Sequence, residues 1–286
     1  MKTILIIGGT GYIGEYVTNF LKKHKGLDLI VIHKSEPVHN KVRGVHYYKL
    51  NLSEKKLKLP PKLAQFDAII ILTKSDKSIM NNICRVILPQ AKKIIFASSI
   101  LVYPSRRGKI TEKVSPKPVT VYEKNKIFEE NILARYAKKN RIPLIVARLA
   151  NVYGDIKNKG VVSKIFETMQ KNQEFKMNRF GNKKKDYIFI EDAAEFLCRL
   201  VLIIPRSKKE IYNVCTGKGY SMLELISLIE KIIEKKLAYT FYDGKKNKQF
   251  IVGENKKIVE TTGYHPHDIM SGLKKTYNNF ASKNFS

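Results

Sequence analysis

Cysteine is scarce in this chain: only Cys84, Cys198 and Cys215 occur, far apart. That spacing excludes a disulfide framework or a clustered thiolate metal site and fits a reducing compartment. Long apolar runs are missing as well. No stretch approaches the roughly twenty residues that span a bilayer, and the nearest is Leu200 to Ile204. The apolar stretch at the N-terminus is short, broken by glycines and followed by no small-residue cleavage site, so a secretory signal is not expected. A cytoplasmic protein without membrane association is the expectation. Arginine is sparse too: of 54 basic residues ten are arginine and 44 are lysine, in a chain of formal net charge +29. Arginine is the residue that reads guanine edges and phosphates bidentately. Evenly spread lysine instead points to solvated faces, and the longest cluster is only Lys183-Lys184-Lys185. Nucleic acid is therefore not the expected partner, whereas a general pull on anionic small molecules is. There is no G-x-S-x-G nucleophile elbow, no internal repeat and no low-complexity linker. His265-Pro266-His267 has no third ligand nearby in sequence, so no metal is expected.

What is present is an ordinary globular composition, 43% hydrophobic and 28% charged over 286 residues, enough for one large lobe or two modest ones. The chain is organised around Ile4 to Gly14, ILIIGGTGYIG. Thr3 to Ile7 is an unbroken apolar run with β-branched residues, the pattern of a strand buried on both faces of a parallel sheet. Gly8, Gly9, Gly11 and Gly14 follow, and Tyr12 to Lys23 has the apolar spacing of an amphipathic helix. Strand, glycine turn and helix start form a dinucleotide-binding fingerprint: the glycines allow a tight turn, close approach of a pyrophosphate and close helix packing. The helix N-terminus then offers N–H groups and a positive dipole end to the phosphates.

Further strands are expected at Leu29 to Ile32, Val45 to Lys49, Ala68 to Leu72 and Lys93 to Ala97, with a helix from Ser75 to Leu88. This alternation predicts an α/β chain with a Rossmann-type doubly wound parallel sheet. Ligands in such sheets sit beyond the carboxyl ends of the strands, where Ser98 and Ser99 fall. After the second strand stand His33 and Lys34. A carboxylate there suits the ribose of NAD and a basic group the 2′-phosphate of NADP, so NADP(H) is favoured over NAD(H), with Glu36 as the residue that could reverse that preference. Thr120 and Glu123 have capping-box spacing, which places a helix start at Thr120 and runs it through Ile127, Leu133 and Tyr136. Tyr122 and Lys126 then share one helical face. Three of the 15 tyrosines have lysine four residues on. Tyr122 is set apart by its place on a helix that follows the serine-bearing strand end.

Taken in order, Gly8-x-x-Gly11-x-x-Gly14, IIFASSILVYP with Ser99 before Val102-Tyr103, Tyr122-x-x-x-Lys126, Arg148-x-x-Asn151-Val152-Tyr153-Gly154, and Asp186-Tyr187 before Glu191-Asp192 resemble the extended short-chain dehydrogenase/reductase family. Within it they are similar to the NAD-dependent epimerase/dehydratase group that acts on nucleotide sugars. The resemblance holds in register from residue 1 to about 215, and Asn213-Val214 and Gly263-Tyr264-x-Pro266 extend it weakly toward the C-terminus. It implies a dinucleotide-binding domain over 1–154 with a return segment at 187–215. A smaller mixed α/β substrate lobe would come from 155–186 and 216–286, with a helix from Ser221 to Lys235. The histidine pair becomes a turn before the last helix.

The residues expected at the dinucleotide are Gly8, Thr10, Gly11, Tyr12, Ile13, Gly14, His33, Lys34, Asn51, Leu52, Leu72, Thr73 and Lys126. Those expected at a nucleotide-diphosphate sugar are Ser99, Tyr122, Asn151 and Lys185. Ser99, Tyr122 and Lys126 form the expected catalytic set. A phenol is a poor base at neutral pH unless a neighbouring ammonium favours its ionised form; Lys126 is expected to supply that charge and Ser99 a hydrogen bond to the reacting oxygen. The resemblance allows a homodimer.

Departures from the family pattern narrow the reaction. Ile100 and Leu101 stand where related dehydratases carry an Asp-Glu pair, and neither can move a proton. Leu101 also stands where enzymes that epimerise at sugar carbons 3 and 5 carry cysteine, and no histidine occurs between Asn151 and Thr168. Thr73 and Lys74 replace expected small residues. What remains is redox at one carbon: reduction of a keto-sugar nucleotide, the reading favoured by an NADP preference, or 4-epimerisation with a retained NAD. A non-catalytic dinucleotide sensor or RNA-binding relative is the third reading, and the intact Ser99, Tyr122 and Lys126 argue against it.

Overall fold

The computed structural model describes residues 1–34, 41–61, 63–73, 75–155, 160–179, 183–244 and 250–282. Glu36 and Lys74 lie outside the described residues. In chain order the strands are β1 (Lys2–Ile7), β2 (Leu27–His33), β3 (His46–Lys49), β4 (Ala68–Ile71), β5 (Ile94–Ser99), β6 (Lys109–Ile110), β7 (Leu144–Leu149), β8 (Asn151–Tyr153), β9 (Phe175–Asn178), β10 (Lys185–Phe189), β11 (Lys209–Val214), β12 (Gly219–Tyr220), β13 (Tyr239–Tyr242) and β14 (Val252–Gly253). The α-helices are α1 (Tyr12–Lys22), α2 (Lys77–Asn82), α3 (Val121–Asn140), α4 (Val161–Gln170), α5 (Ile190–Leu202), α6 (Met222–Ile233), α7 (Lys256–Thr262) and α8 (Ile269–Ser282).

A seven-stranded sheet runs in the order β11-β7-β5-β4-β1-β2-β3. β1 pairs in parallel with both β2 and β4, β2 with β3, and β4 with β5. The order reverses between β1 and β4, the topological switch point at which such sheets bind ligands. The expected Rossmann-type sheet is therefore what the sequence folds into. Being central, β1 must be apolar on both faces, and Ile4 through Ile7 are all buried. Leu5, Ile7, Ile30, Ile32, Ile69, Ile71, Ile94 and Phe96 join Leu133 and Ala137 of α3 in one core cluster. Each of the leucine, isoleucine and phenylalanine side chains, removed from water, stabilises the fold by about 1.5–3 kcal/mol.

The expected helix from Ser75 to Leu88 is not continuous. α2 starts at Lys77, capped by the Asp76 carboxylate on the Ile79 N–H at 2.8 Å. It then widens to a π-helix over Ile83–Ile87 and tightens to a 3-10 turn over Leu88–Gln90. Pro89 lies in that turn; it has no N–H to donate and its ring crowds the carbonyl four residues back, so an α-helix cannot continue through it.

By contacts the chain divides into two compact units. The first comprises Met1–Val102, Pro118–Arg148 and Ala194–Tyr212, the second Tyr103–Lys117, Leu149–Ala193 and Asn213–Ser286. The second unit contains a three-stranded sheet in the order β12-β10-β8 and a parallel β13-β9 pair. Phe166 of α4 packs on Tyr277 and Phe280 of α8, with ring centroids 6.1 and 5.4 Å apart.

Candidate active site

In the first unit the glycine turn leaves β1 at Gly8, whose φ of +84° is open to glycine and strained for other residues. Gly8 donates to Ile32 O at 3.3 Å, and its own carbonyl accepts the Gly11 N–H at 3.0 Å. A Cβ at Gly14 would stand 2.1 Å from Gly8 O, so α1 can lie this close to the turn only with glycine there. A Cβ at Gly8 would come within 3.0 Å of Thr73 N and 3.3 Å of Leu72 C, which puts the exit of β4 against the same turn. Gly11 caps α1 without a side-chain bond. A helix's first turn carries amide donors with no acceptor inside the helix, and Thr10, Tyr12 and Ile13 stand half-buried around that end. Turn, uncapped helix end and neighbouring strand exit together fit the pyrophosphate of a dinucleotide.

The exits of β2 and β3 lie beside it. His33 ends β2 and is only 5% exposed, edge-on to Tyr47 at 6.3 Å, while Lys34 beyond it is exposed. Asn51 turns its side chain back onto Ser53, accepting from the hydroxyl at 2.7 Å, and the Leu52 carbonyl accepts from buried Asn82 at 2.9 Å.

Ser99 is the last residue of β5 and is buried, and its Oγ accepts the Leu101 N–H at 3.2 Å. With that lone pair occupied, the hydroxyl proton is directed elsewhere, and the Ser99 side chain faces the Tyr122 phenol. α3 begins where its sequence says it should. The Glu123 N–H donates to Thr120 Oγ1 at 3.3 Å, while Glu123 Oε2 accepts from Thr120 N at 3.3 Å and Val119 N at 2.6 Å. This capping box fixes the first turn and thereby aims Tyr122. Tyr122 is 41% exposed, and its partial burial raises the phenol above the ordinary tyrosine value; the Ser99 side chain opposes the shift and the Glu129 charge adds to it. Lys126, one turn on and buried, donates to Ala97 O at 3.1 Å and lies over the Phe96 ring at 4.7 Å. Its Nζ is also 3.0 Å from Glu129 Oε2.

Glu130 forms a second buried pair nearby. Arg148 Nε and Nη2 reach its two oxygens at 3.0 and 2.7 Å, and Ser98 Oγ donates to Oε1 at 2.5 Å. In the second unit, Asn151 of β8 donates to Asp186 O of β10 at 2.8 Å, and Lys185 opens β10 opposite Tyr220. Burial lowers the Lys185 ammonium below its usual range. Asp186 is fully buried and accepts from Thr216 N, Thr216 Oγ1 and Gly217 N at 2.9, 2.8 and 3.0 Å. His267 donates its N–H to Asp192 Oδ2 at 3.1 Å and sets Nδ1 2.5 Å from Oδ1, in the turn before α8.

The family model of the NAD dependent epimerase/dehydratase family matches residues 4–215. The chain belongs to that family. This family member is 28% identical to a putative UDP-glucose 4-epimerase of Methanocaldococcus jannaschii, over 65% of its own length and 62% of that protein. It is 29% identical to a dTDP-4-dehydro-6-deoxyglucose reductase of Escherichia coli, over 64% and 60%. The chain thus spans about three fifths of these curated relatives. Among solved structures, the UDP-glucuronic acid 4-epimerase of Bacillus cereus, in complex with UDP-glucuronic acid and NAD, superposes with a TM-score of 0.83 over 98% of this chain and 99% of that one. At 19% identity the likeness is one of fold.

In this epimerase/dehydratase family member Lys126, the expected source of positive charge for the Tyr122 phenol, is paired with Glu129, and burial first, then the Glu129 charge, raises the phenol. Glu129 and Glu130 are the residues that sequence reasoning missed. The available signal was two adjacent carboxylates on the helix that carries Tyr122, at positions where burial demands partners.

Proposed function

We propose that this chain is a nicotinamide-dependent enzyme that performs redox at one carbon of a nucleotide-diphosphate sugar, acting as a 4-epimerase with a retained dinucleotide. The observation that carries the reading is buried Ser99 at the end of β5 together with Tyr122 one turn before buried Lys126 on α3, in the unit that also holds the glycine turn. The first unit would hold the dinucleotide, at the thirteen positions from Gly8 to Lys126 named from the sequence. The second would hold the sugar nucleotide through Asn151 and Lys185, the latter a cation suited to a diphosphate. When bound, the nicotinamide supplies the hydride chemistry.

The chain's own residues handle the proton. Tyr122, ionised, takes the proton of the reacting sugar hydroxyl and later returns it, while Ser99, its lone pair held by Leu101 N–H, donates to the same oxygen and fixes its position. Water elimination needs a further acid and base; Ile100, fully buried, and Leu101 offer none. The 28% identity to the archaeal putative UDP-glucose 4-epimerase supports 4-epimerisation. Lys34, exposed at the exit of β2, favours the second reading, reduction of a keto-sugar nucleotide with NADP(H).

Mass spectrometry of the nucleotides that co-purify, followed by assay on nucleotide sugars, separates the two. An epimerase carries NAD and interconverts sugars with no net consumption of reduced cofactor; a reductase consumes it. In either case Tyr122→Phe should cut turnover at least about hundredfold while dinucleotide binding persists. Equal activity in that variant overturns the mechanism.

A further inference from the structure

Tyr122, Lys126 and Glu129 are spaced four and three residues apart on α3, so they form one stripe on one face of the helix with the ammonium in the middle. Both charged members are withdrawn from water, their side chains 8% and 2% exposed, and their atoms meet at 3.0 Å. Glu129 has a second anchor: its Oε1 accepts the Ser75 N–H at 3.0 Å. Ser75 lies three residues beyond Leu72, in the segment that leaves β4 beside the glycine turn. Glu129 therefore ties the turn side of the unit to the lysine one turn from the phenol. An ammonium has three donors; here one goes to Ala97 O and one to Glu129, leaving one for a ribose hydroxyl.

We propose that Glu129 is a positioning residue, which fixes the Lys126 ammonium on the face of α3 that carries Tyr122 and sets the pH range in which Tyr122 exchanges a proton. The inference rests on the function proposed above. Its physical basis is that a carboxylate on the far side of an ammonium offsets the field which that ammonium exerts on its other neighbour.

Among the described residues, the polar and charged groups facing this stripe come from α3 itself, from β5 and from the segment after β4. On α3, Glu130 is engaged by Arg148 of β7 and Ser98 of β5, and Glu123 by the backbone of Val119 and Thr120. From β5, Ser99 faces the phenol. From the segment after β4, the Ser75 N–H faces Glu129, and Asp76 is turned to the Ile79 N–H. Consistent with this arrangement, burial raises the Glu129 carboxyl, with the Lys126 charge opposing, and the Glu129 charge adds to the rise that burial imposes on the phenol.

The test is the pH profile of kcat/KM for the holoenzyme. Glu129→Gln keeps the acceptor for Ser75 N–H and removes the charge. The phenol then ionises more readily, so the acid limb of the profile moves to lower pH by about half a unit or more. Glu129→Asp keeps the charge but draws it back by one methylene, and its limb falls between the two; it also carries the test if the glutamine variant does not fold. A purely structural role would lower activity at every pH without moving the limb. A limb that stays in place, or moves to higher pH, overturns the proposal. Failure of the wild-type chain to turn over any nucleotide sugar overturns the functional reading and the inference with it, whereas an active wild type with an unmoved limb overturns the inference alone.

Discussion

The carboxylate of Glu130 and the guanidinium of Arg148 are joined by two hydrogen bonds in a fork, both side chains nearly inaccessible to water. Such a pair contributes little relative to apolar residues of the same volume, but losing one member strands the other charge in a low-dielectric interior. Glu130→Gln should therefore destabilise the fold by about 3–5 kcal/mol, read as a lowered denaturation midpoint. Replacing both residues together with apolar side chains should cost less than the single change, and a double variant as unstable as the single one would contradict this account. Arg148 stood in a recognisable motif; its partner did not, because no pattern in a linear string couples residues 130 and 148. The same limit hid Glu129. Ser99, Tyr122 and Lys126 were legible because strand end and helix start are local features, and what they touch was not.

Elements were legible where their ends carry local chemistry. α3 buries Glu123, Lys126, Glu129 and Glu130 alongside Leu133 and Ala137, so its apolar stripe is faint, yet its start follows from Thr120 and Glu123 alone. α1 is set by its glycines. Gly14→Ala would drive a methyl against the Gly8 carbonyl, to 2.1 Å in the unrelaxed backbone, so the helix must lift from the turn. Dinucleotide affinity should fall by at least about tenfold, a loss of 1.4 kcal/mol or more, with the secondary structure retained by circular dichroism. Unchanged affinity would show that this end of α1 does not meet the phosphates. The segment after β4 departs from the expected single helix for an equally local reason: Pro89 governs how the helix ends.

At the scale of the whole molecule, a net charge of +29 surrounds whatever anionic substrate the site takes. Long-range attraction of this kind is screened by salt, since the Debye length falls to a few ångströms at high ionic strength. Raising salt from about 50 mM to about 500 mM should therefore raise the KM for a nucleotide sugar severalfold with kcat nearly constant. A KM that does not respond would assign the lysines to solubility alone.

The strand order carries a consequence for synthesis. β1 is translated before the other strands of its sheet and lies in the interior of that sheet, whereas β11, which flanks β7 at one margin, is not translated until Lys209. Until then the nascent chain presents a bare row of backbone donors and acceptors along β7, a template on which other chains can pair. A message cut short before that codon would yield a polypeptide with the glycine turn and Tyr122 both present, and with an open seam that favours aggregation over folding.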